Sequence, residues 1–455
     1  MSEHAEYLDA LQRFHERSDY EKGTITNPFG RAGDEGARGL ARVRALLAEL
    51  GNPEQRYAIV HVAGSKGKGS TCAFLSTILT ASGYRTGRYI SPHLHTLRER
   101  IAVDDLPMSE AQFTASLDRA LHACEQVESN APELGRITAF EISTVMAFDV
   151  FAERACDLAV IEVGLGGTWD ATNVIDPEVT VISLLDYEHT DILGDTLTEI
   201  AENKAGIIKP ERPVLTQRQA EEGMHVIELV AAAQHAPLLI EGEDWTIDGD
   251  WKAARISTPI GEIGPVRLGL SGNHQLHNAG LAAMSAALLA EHGRTNITGQ
   301  TIETGLTETF WPARFEIVTK PGEATIVIDG AHTGASGAAL AAALEDQFPG
   351  QPIALIFGML NGKDAAAMMA HFRPLTDQVS LVRPANPRAM SFEQMERAAL
   401  QADLTATRFE SLEEAMAEAS SRSQPDTVIV VTGSLSFAGE AREVAGLAVT
   451  EKFPS

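Results

Sequence analysis

The stretch HVAGSKGKGST, residues 61–71, decides the fold of this 455-residue chain. A β-type apolar run, residues 57–63, enters the glycine-rich loop, and a helical pattern leaves it and continues through Ser82. Glycines allow consecutive backbone N–H groups to turn toward phosphate oxygens, and the start of the helix adds its positive end. Lys68 can place a point charge beside the β- and γ-phosphates. The stretch therefore predicts a phosphate-binding loop between a strand and a helix.

The spacing of this loop differs from that of the common P-loop, which has four residues between its glycines and Ser or Thr directly after the lysine. Here Gly64 and Gly67 are closer together, and Gly69 follows Lys68. We therefore do not assign the magnesium-binding hydroxyl to Ser70. An ordinary glycine-rich turn is the alternative, which Lys68 and the strand context disfavour. The expected ATP contacts in the loop are Gly64, Ser65, Lys66, Gly67, Lys68, Gly69, Ser70 and Thr71.

Strand-like and helical patterns alternate on both sides of the loop. We expect a helix over residues 39–50, strands over 86–90, 158–163 and 179–184, short β-type runs within 245–270 and a helix over 278–291. A second series begins near residue 324 and includes strands over 353–357, 378–382 and 427–431. Such alternation is typical of parallel sheets covered by helices.

These patterns predict an α/β protein with two domains. The first is a P-loop ATPase domain with a parallel-rich central sheet, residues 1–311, and the second is a smaller Rossmann-like α/β domain, residues 312–455. The boundary is placed at Trp311-Pro312, because this dipeptide lies between the two series and Pro321-Gly322 follows it.

Composition narrows the classes of function. Lys and Arg number 36 against 63 Asp and Glu, a net charge of −27, which disfavours partners such as nucleic acids and anionic membranes. The cysteines, Cys72, Cys124 and Cys156, lack the spacing of a disulfide framework or a zinc site. The N-terminus has no signal-peptide pattern, and the longest apolar stretch, residues 279–290, is too short to cross a bilayer. We expect a cytoplasmic monomer.

Further sequence blocks follow the loop in a fixed order. They are SPHL (91–94) with RERI (98–101), FE (140–141), EVGLGG (162–167) with DATN (170–173), HTD (189–191) with LG (193–194), KAGIIKP (204–210), GNHQ (272–275) with Asn278, WPAR (311–314), DGAH (329–332) and VTGSL (431–435). With the loop, this ordered set resembles the folylpolyglutamate synthase and dihydrofolate synthase family, a branch of the Mur ligases. The resemblance spans residues 40 to 440.

The resemblance implies an ATP-dependent ligase. Members of the family activate a folate or dihydropteroate carboxylate as an acyl phosphate, which the amino group of L-glutamate attacks to form an amide. The implied cofactors are Mg²⁺, as two ions, and a monovalent cation, with ATP as co-substrate. The implied partners are the small molecules ATP, L-glutamate and a folate or dihydropteroate.

The resemblance also assigns residues. Ser91, Glu162, His189 and a carbamylated Lys204 would hold metal, and Lys68, Lys204 and His189 would be catalytic. Asn278, Arg314 and Asp329 match positions that contact ATP. Phe140, Trp169, Asp170 and Ala171 would lie at the folate or pteroate, and His332, Arg388 and Ser434 in the cleft of the second domain.

Four positions depart from the family pattern. Glu188 stands where Asp is common, Thr168-Trp169 replaces Arg-Leu, and Thr333 replaces Asn. Core packing remains an alternative role for Trp169 and Phe140, as does a surface ion pair for Arg388. The resemblance does not separate dihydrofolate synthase from folylpolyglutamate synthase or from a bifunctional enzyme. A Mur-type ligase with another acceptor and a non-catalytic nucleotide-binding regulator are the alternative functions.

Overall fold

The computed structural model describes residues 2–17, 26–30, 33–319, 324–422, 424 and 426–451. Pro321-Gly322, expected after the domain boundary, lies outside the described residues. None of the described helices is both long and apolar enough to span a membrane.

The strands precede and follow the helices in the expected alternation. Their bounds are β1 (Ala58–Ala63), β2 (Thr86–Tyr89), β3 (Ile101–Val103), β4 (Leu106–Pro107), β5 (Leu158–Glu162), β6 (Val179–Ile182), β7 (Val214–Thr216), β8 (Leu238–Ile240), β9 (Thr246–Asp248), β10 (Ala254–Thr258), β11 (Gly261–Val266), β12 (Glu316–Val318), β13 (Thr325–Ile328), β14 (Ile353–Phe357), β15 (Gln378–Leu381), β16 (Thr405–Arg408) and β17 (Val428–Thr432).

The helices connect these strands and cover the sheets. Their bounds are α1 (Glu3–His15), α2 (Asp34–Glu49), α3 (Lys68–Ala81), α4 (Glu110–Asn130), α5 (Ala139–Glu153), α6 (Thr190–Leu193), α7 (Leu197–Ala205), α8 (Glu221–Ala233), α9 (His274–Glu291), α10 (Gly299–Glu308), α11 (Gly334–Gln347), α12 (Ala365–Ala370), α13 (Phe392–Gln401), α14 (Leu412–Arg422) and α15 (Leu435–Val444).

The strands form three sheets. The first has eight strands in the order β4-β3-β2-β5-β1-β6-β7-β8, and β2, β5, β1, β6, β7 and β8 run parallel. The second is an antiparallel sheet of β11, β10 and β9. The third has the order β12-β13-β17-β14-β15-β16 and is parallel except for β12. The predicted α/β class with a parallel-rich central sheet and a second sheet-containing region is confirmed.

The central strand β1 is apolar on both faces because helices cover both sides of the sheet. Ile59 packs with α5 residues such as Ile142 in one core cluster. Val60 and Val62 face the opposite side, where they pack with residues of α3 and α9. This double cover fixes the end of β1, and hence the start of the loop at Gly64.

The observed element bounds follow the sequence patterns closely. The 353–357 strand has the predicted ends, and the strand predicted over 158–163 ends one residue earlier, at Glu162. The helix predicted from residue 39 begins at Asp34 instead, and its N-cap residue is Gly33, whose left-handed φ of 76° glycine tolerates.

Candidate active site

The predicted site residues gather where parallel strands of the first sheet end. β1 leads into the glycine loop, β5 ends at Glu162, Ser91 follows β2, and His189 follows β6. In open α/β sheets ligands bind at this carboxyl edge. The register supports the grouping, since Val62 of β1 lies beside Glu162 of β5.

The glycine loop adopts a conformation that requires glycine at two positions. Gly64 and Gly67 have φ values of 144° and 88°. A Cβ at Gly64 would collide with Ser183 Oγ, and one at Gly67 with Asn278 Oδ1. The loop is therefore held closely against β6 and α9.

Part of the loop backbone is already bonded within the protein. The N–H groups of Ser65 and Lys66 both donate to the Leu184 carbonyl, at 2.8 and 3.0 Å. The α3 ladder begins with Thr71 N–H donating to Gly67 O at 2.9 Å. The N–H groups from Lys68 to Ser70 precede that ladder and mark the start of the helix as the phosphate end of the loop.

Two lysines converge on one backbone carbonyl. Lys68 Nζ donates to Gly64 O at 2.8 Å, and Lys204 Nζ donates to the same oxygen at 2.9 Å. Lys204 also donates to Glu188 Oε1 at 2.6 Å, and only 1% of Lys204 is exposed. The Gly64 carbonyl and the Glu188 carboxylate thus hold two positive charges in a buried space.

This crowding shifts the pKa values of the cluster. Burial, reinforced by the charge of Lys68, lowers the pKa of Lys204 to about 8. Burial alone would raise the pKa of Glu188, but Lys68 and Lys204 lower it below its ordinary value. Glu188 is consequently an anion and Lys204 a lysine that is easily made neutral.

The pKa of Glu162 is shifted in the opposite direction from that of Glu188. Burial raises its pKa to about 7, although Lys68 and the Ser91 N–H oppose the rise. Glu162 Oε2 accepts a long hydrogen bond from Ser91 N–H, at 3.3 Å. A buried carboxylate so weakly compensated favours a nearby cation.

His189 lies at the start of the short helix α6 with a left-handed φ of 46°. Burial lowers its pKa, while Glu188 opposes the change. Within the described residues, no three His, Cys, Asp or Glu side chains converge as a ready-made metal site. Glu162 and Ser91, which are joined by a hydrogen bond, carry oxygen donors of the kind that Mg²⁺ prefers, and water or phosphate oxygens would complete its shell.

Of the three residues expected to contact ATP, Asn278 lies directly against the glycine loop, and Arg314 and Asp329 lie in the segment around the third sheet. Asn278, 6% exposed, places Oδ1 over Gly67 and donates from Nδ2 to Gln275 Oε1 at 2.9 Å. Asp329 accepts from the N–H groups of Phe315 at 2.7 Å and Ala331 at 2.8 Å. Arg314 opposes the burial-driven rise in the pKa of both Glu162 and Asp329, so its charge lies between the first and third sheets.

The residues predicted for the second cleft are bonded mainly within their own region. His332 Nδ1 is 2.9 Å from Gly330 O and donates to it, and burial lowers the pKa of the ring to about 4. Ser434 caps α15 by accepting from Phe437 N–H at 3.3 Å. The Arg388 side chain is exposed.

Three of the predicted folate residues, Trp169, Asp170 and Ala171, lie on the chain after β5, and Phe140 reaches the same chain from α5. Phe140 packs its ring against Gly164, and Asp170 accepts from the N–H groups of Leu165 at 2.9 Å and Thr172 at 3.0 Å. Ala171, next to it, is buried. These bonds hold the loop in a fixed shape.

Trp169 packs against the start of α2. A Cβ at Gly33 would lie 2.5 Å from the indole, and one at Gly36 would lie 2.6 Å from Trp169 Cβ. The neighbouring Thr168 donates from Oγ1 to Asn203 O at 2.9 Å. A cavity of about 400 Å³ adjoins this loop and is lined by Thr168, Ile192, Leu193, Gly194, Glu199, Glu202 and Asn203.

The sequence did not identify three residues that shape the site. Ser183 donates to Lys66 O at 2.7 Å, Glu188 binds Lys204, and Glu316 accepts from Ala313 N–H at 2.8 Å. Glu188 was noted as a departure from the family pattern, and its place beside His189 was the available signal. Ser183 contacts Lys66, 117 positions away, and Glu316 also accepts from Arg442 Nε, 126 positions away, so no local pattern reveals either role.

Comparison with known proteins gives two matches to family models. Residues 62–287 match the Mur ligase middle domain, and residues 313–435 match the glutamate ligase domain of Mur ligases. The first match includes the glycine loop, Glu162, His189 and Lys204, and the second begins one residue before Arg314.

Full-length relatives show the same similarity. The chain is 32% identical to a dihydrofolate synthase/folylpolyglutamate synthase of Bacillus subtilis over 89% of this chain and 94% of that protein. It is 34% identical to a folylpolyglutamate synthase of Lacticaseibacillus casei, covering 88% and 93%. The structure of a Mycobacterium tuberculosis folylpolyglutamate synthase complexed with ADP superposes with a TM-score of 0.85 at 30% identity, covering 99% of this chain and 100% of that one.

Proposed function

This chain belongs to the Mur ligases, in the branch of the folylpolyglutamate and dihydrofolate synthases, and from that membership we propose that it joins L-glutamate to a folate or dihydropteroate carboxylate. ATP is the co-substrate: a carboxylate oxygen attacks its γ-phosphorus, an acyl phosphate forms, and ADP leaves. The glutamate nitrogen then attacks the acyl carbon, the amide C–N bond forms with loss of a proton from nitrogen, and inorganic phosphate leaves.

One observation carries the proposal beyond nucleotide binding. Lys68 and Lys204 meet at Gly64 O, at 2.8 and 2.9 Å, with Glu188 bound to Lys204. A phosphate loop alone needs one lysine and backbone N–H groups. The second lysine, buried with an acid, adds an ionisable pair next to the phosphate loop that nucleotide binding alone does not need.

We assign Lys68 and the N–H groups that begin α3 to the phosphates of ATP. Charge develops on the transferred phosphoryl group, and fixed positive charge is the main protein contribution to such a reaction. Lys68 is half-buried beside Gly64, so its charge is only partly screened by solvent.

Ser91, Glu162 and His189 are the residues we assign to Mg²⁺. The ion would supply further positive charge to the phosphate oxygens. The raised pKa of Glu162, about 7, supports this assignment because a divalent cation would keep the buried carboxylate ionised.

The pKa of Lys204, about 8, supports the carbamate that the family resemblance implies. A neutral lysine amine can add to CO₂ with loss of one proton from nitrogen, which converts a cation into an anion. An ordinary lysine, with a pKa near 10.4, offers far less neutral amine at neutral pH. Glu188, which binds the ammonium at 2.6 Å, would have to release it first.

Asn278, Arg314 and Asp329 are assigned to ATP from opposite sides of a cleft. This assignment fits a domain boundary at residues 311/312, since β1 to β11 build the first two sheets and β12 to β17 build the third. A reaction between domains is shielded from water when the cleft closes, which protects a hydrolysable acyl phosphate.

The acceptor is assigned to Phe140, Trp169, Asp170 and Ala171, with His332, Arg388 and Ser434 in the cleft of the second domain. The position of the first four residues supports this assignment, since they follow or contact the loop after Glu162. We also propose a cytoplasmic monomer. The described cysteines are all unpaired and buried, which suits a reducing compartment.

The direct test supplies purified protein with ATP, Mg²⁺, L-glutamate and either dihydropteroate or tetrahydrofolate. Mass spectrometry of the product should show the addition of one glutamate to at least one acceptor. Addition to dihydropteroate alone, to tetrahydrofolate alone or to both would distinguish the synthase activities. If neither acceptor gains a glutamate, the proposal is wrong.

A further inference from the structure

The turn that presents Arg314 is held in an unfavourable backbone conformation. Ala313 and Phe315, on either side of it, have φ values of 56° and 48°. Residues with a side chain rarely adopt these values, which cost free energy unless surrounding contacts impose them. Some part of the structure must therefore stabilise this turn.

Two carboxylates supply that stabilisation. Ala313 N–H donates to Glu316 Oε2 at 2.8 Å, and Phe315 N–H donates to Asp329 Oδ2 at 2.7 Å. Hydrogen bonds to an ionised acceptor are stronger than those between neutral groups. The backbone on each side of Arg314 is thus fixed by one acid.

Glu316 in turn is fixed by α15. Its Oε2 accepts from Arg442 Nε at 2.8 Å. Glu316 and Arg442 are only 7% and 8% exposed, so water does not compete effectively for either charge. The orientation of the Glu316 carboxylate, and with it the Arg314 turn, depends on Arg442.

Arg442 also reaches the loop that follows β2. Its Nη1 lies 2.7 Å from His95 Nε2. A guanidinium can only donate, so Nε2 accepts and the ring proton is on Nδ1, which donates to Thr450 Oγ1 at 2.8 Å. The bond to Arg442 therefore requires the neutral ring.

The His95 loop is itself rigid and carries Ser91 four residues earlier. Glu99 accepts from the N–H groups of Leu94 at 2.9 Å, His95 at 3.0 Å and Thr96 at 2.9 Å. One buried chain, from His95 through Arg442 to Glu316, consequently joins the loop of a proposed metal ligand to the turn of a proposed ATP contact.

We propose that Glu316 and Arg442 are positioning residues for Arg314, and that the His95–Arg442–Glu316 chain sets the Arg314 turn relative to the Ser91 loop. The inference rests on the proposed function in one respect, the assignment of Arg314 to the nucleotide. None of the three residues of the chain needs to touch substrate.

A second contact between the same regions provides a matched control. Trp251 Nε1 donates to Asp346 Oδ2 at 2.6 Å, linking the β9–β10 segment to α11. Trp251 lines a cavity together with Arg314 and Glu316, but its bond to Asp346 is not one of those that fix the backbone of the Arg314 turn. Asp346→Asn therefore perturbs a contact between the regions without the positioning effect.

The test measures the dissociation constant for a non-hydrolysable ATP analogue with Mg²⁺. Glu316→Gln should weaken binding about tenfold, the equivalent of one charge-assisted hydrogen bond, and Asp346→Asn less than twofold. Arg314→Ala should also weaken binding. Because Glu316 acts through Arg314, adding Glu316→Gln to Arg314→Ala should change the constant by less than about twofold.

Two results would overturn the inference: equal effects of Glu316→Gln and Asp346→Asn, or effects of Glu316→Gln and Arg314→Ala that multiply in the double variant. Should Glu316→Gln fail to fold, His95→Leu and His95→Gln replace it, since glutamine retains an acceptor near the Nε2 position. His95→Leu should then weaken binding and His95→Gln should restore it, and equal binding would reject the chain. Analogue binding remains measurable even if no glutamate is added, so failure of the proposed function is separately visible.

Discussion

The carboxyl edges of the first and third sheets carry similar residue types, but the hydrogen-bond partners of these residues differ. At the first sheet Lys68, Lys204 and Glu188 bind one another or a single carbonyl, and Glu162 is weakly compensated. At the third sheet Asp329, His332 and Ser434 bind nearby backbone groups. Charged side chains that bind one another can exchange those partners for phosphate or metal. Side chains that bind the backbone of their own region maintain the shape of the chain. We therefore expect substitutions at the first edge to affect chemistry most, and substitutions of His332 and Ser434 at the third edge to affect mainly stability and the shape of the cleft.

The largest expected effect is at Lys68. Lys68→Met should reduce glutamate addition at least about 1000-fold, since a fixed charge beside the phosphoryl group is removed. The matched control is Lys66→Met in the same loop, which should cost less than about tenfold. Turnover is measured as product formed under saturating ATP and acceptor. Equal losses for the two variants would remove the distinction between the lysines.

Lys204 should give the next largest effect. Lys204→Arg keeps the positive charge but cannot form a carbamate, and we expect a loss of about 100-fold. Lys209→Arg, in the same sequence block, should retain activity because arginine can still donate to Asn173, which Lys209 Nζ contacts at 2.8 Å. Removal of CO₂ and bicarbonate should slow glutamate addition by the unsubstituted protein. Full activity of Lys204→Arg would mean that a positive charge at this position is sufficient for turnover and that no carbamate is needed.

The sequence predicted the first edge better than the third. Glycine spacing, Lys68 and the strand-ending Glu162 are local signals, because the phosphate loop and the strand that serve them are continuous in sequence. The pairing of Lys204 with Glu188 joins residues 16 positions apart through a fold that no local pattern specifies. Trp169 shows the same limit, since its contacts with Gly33 and Gly36 arise only when α2 packs on the loop.

The role of the third edge was harder to predict from the sequence than that of the first edge, because it depends more on tertiary contacts. Asp329 and Ser434 were expected in a ligand cleft from their sequence blocks. Asp329 instead accepts from Phe315 N–H, 14 positions away, a bond that only the folded chain shows, whereas Ser434 forms a local helix cap with Phe437 N–H. Arg314 could be placed near a domain boundary. The positive φ values of its two neighbours, and the two carboxylates that bind their N–H groups, could not be predicted. Neither Ala nor Phe marks a positive φ in a sequence.

Glu162 tests whether the first edge holds metal. Glu162→Gln should remove most of the stabilisation that Mg²⁺ and an ATP analogue give the unsubstituted protein, about 2.7 kcal/mol at a hundredfold excess over the dissociation constant. Without ligand the variant should be at least as stable, because a neutral amide suffers less from burial than a carboxylate. Thermal unfolding with and without Mg²⁺ measures both effects. An undiminished stabilisation in Glu162→Gln would exclude this residue as a ligand.

His332 should affect acid stability at the third edge. Its pKa is lowered from 6.5 to about 4, so the unfolded chain binds the proton more readily than the folded one. The stabilisation is complete above pH 6.5 and is lost as the pH falls toward 4, with an upper bound of about 3 kcal/mol. His332→Asn retains a donor for Gly330 O and should show a smaller loss of stability over this range. Urea unfolding at pH 7 and pH 4.5 gives the difference, and His371→Asn, at an exposed site, should match the unsubstituted protein.

The smallest effect is expected at Ser434. Loss of its cap in Ser434→Ala should lower the free energy of unfolding by about 1 kcal/mol, and Ser434→Thr should preserve it because threonine also caps helices. Turnover and the KM for glutamate should change less than threefold in both variants, because the hydroxyl already binds Phe437 N–H at 3.3 Å and Gly358 O at 3.3 Å. A tenfold rise in that KM with only the expected loss of stability would mean that Ser434 contacts substrate. The third edge would then share in the chemistry, and the contrast between the two sheets would no longer hold.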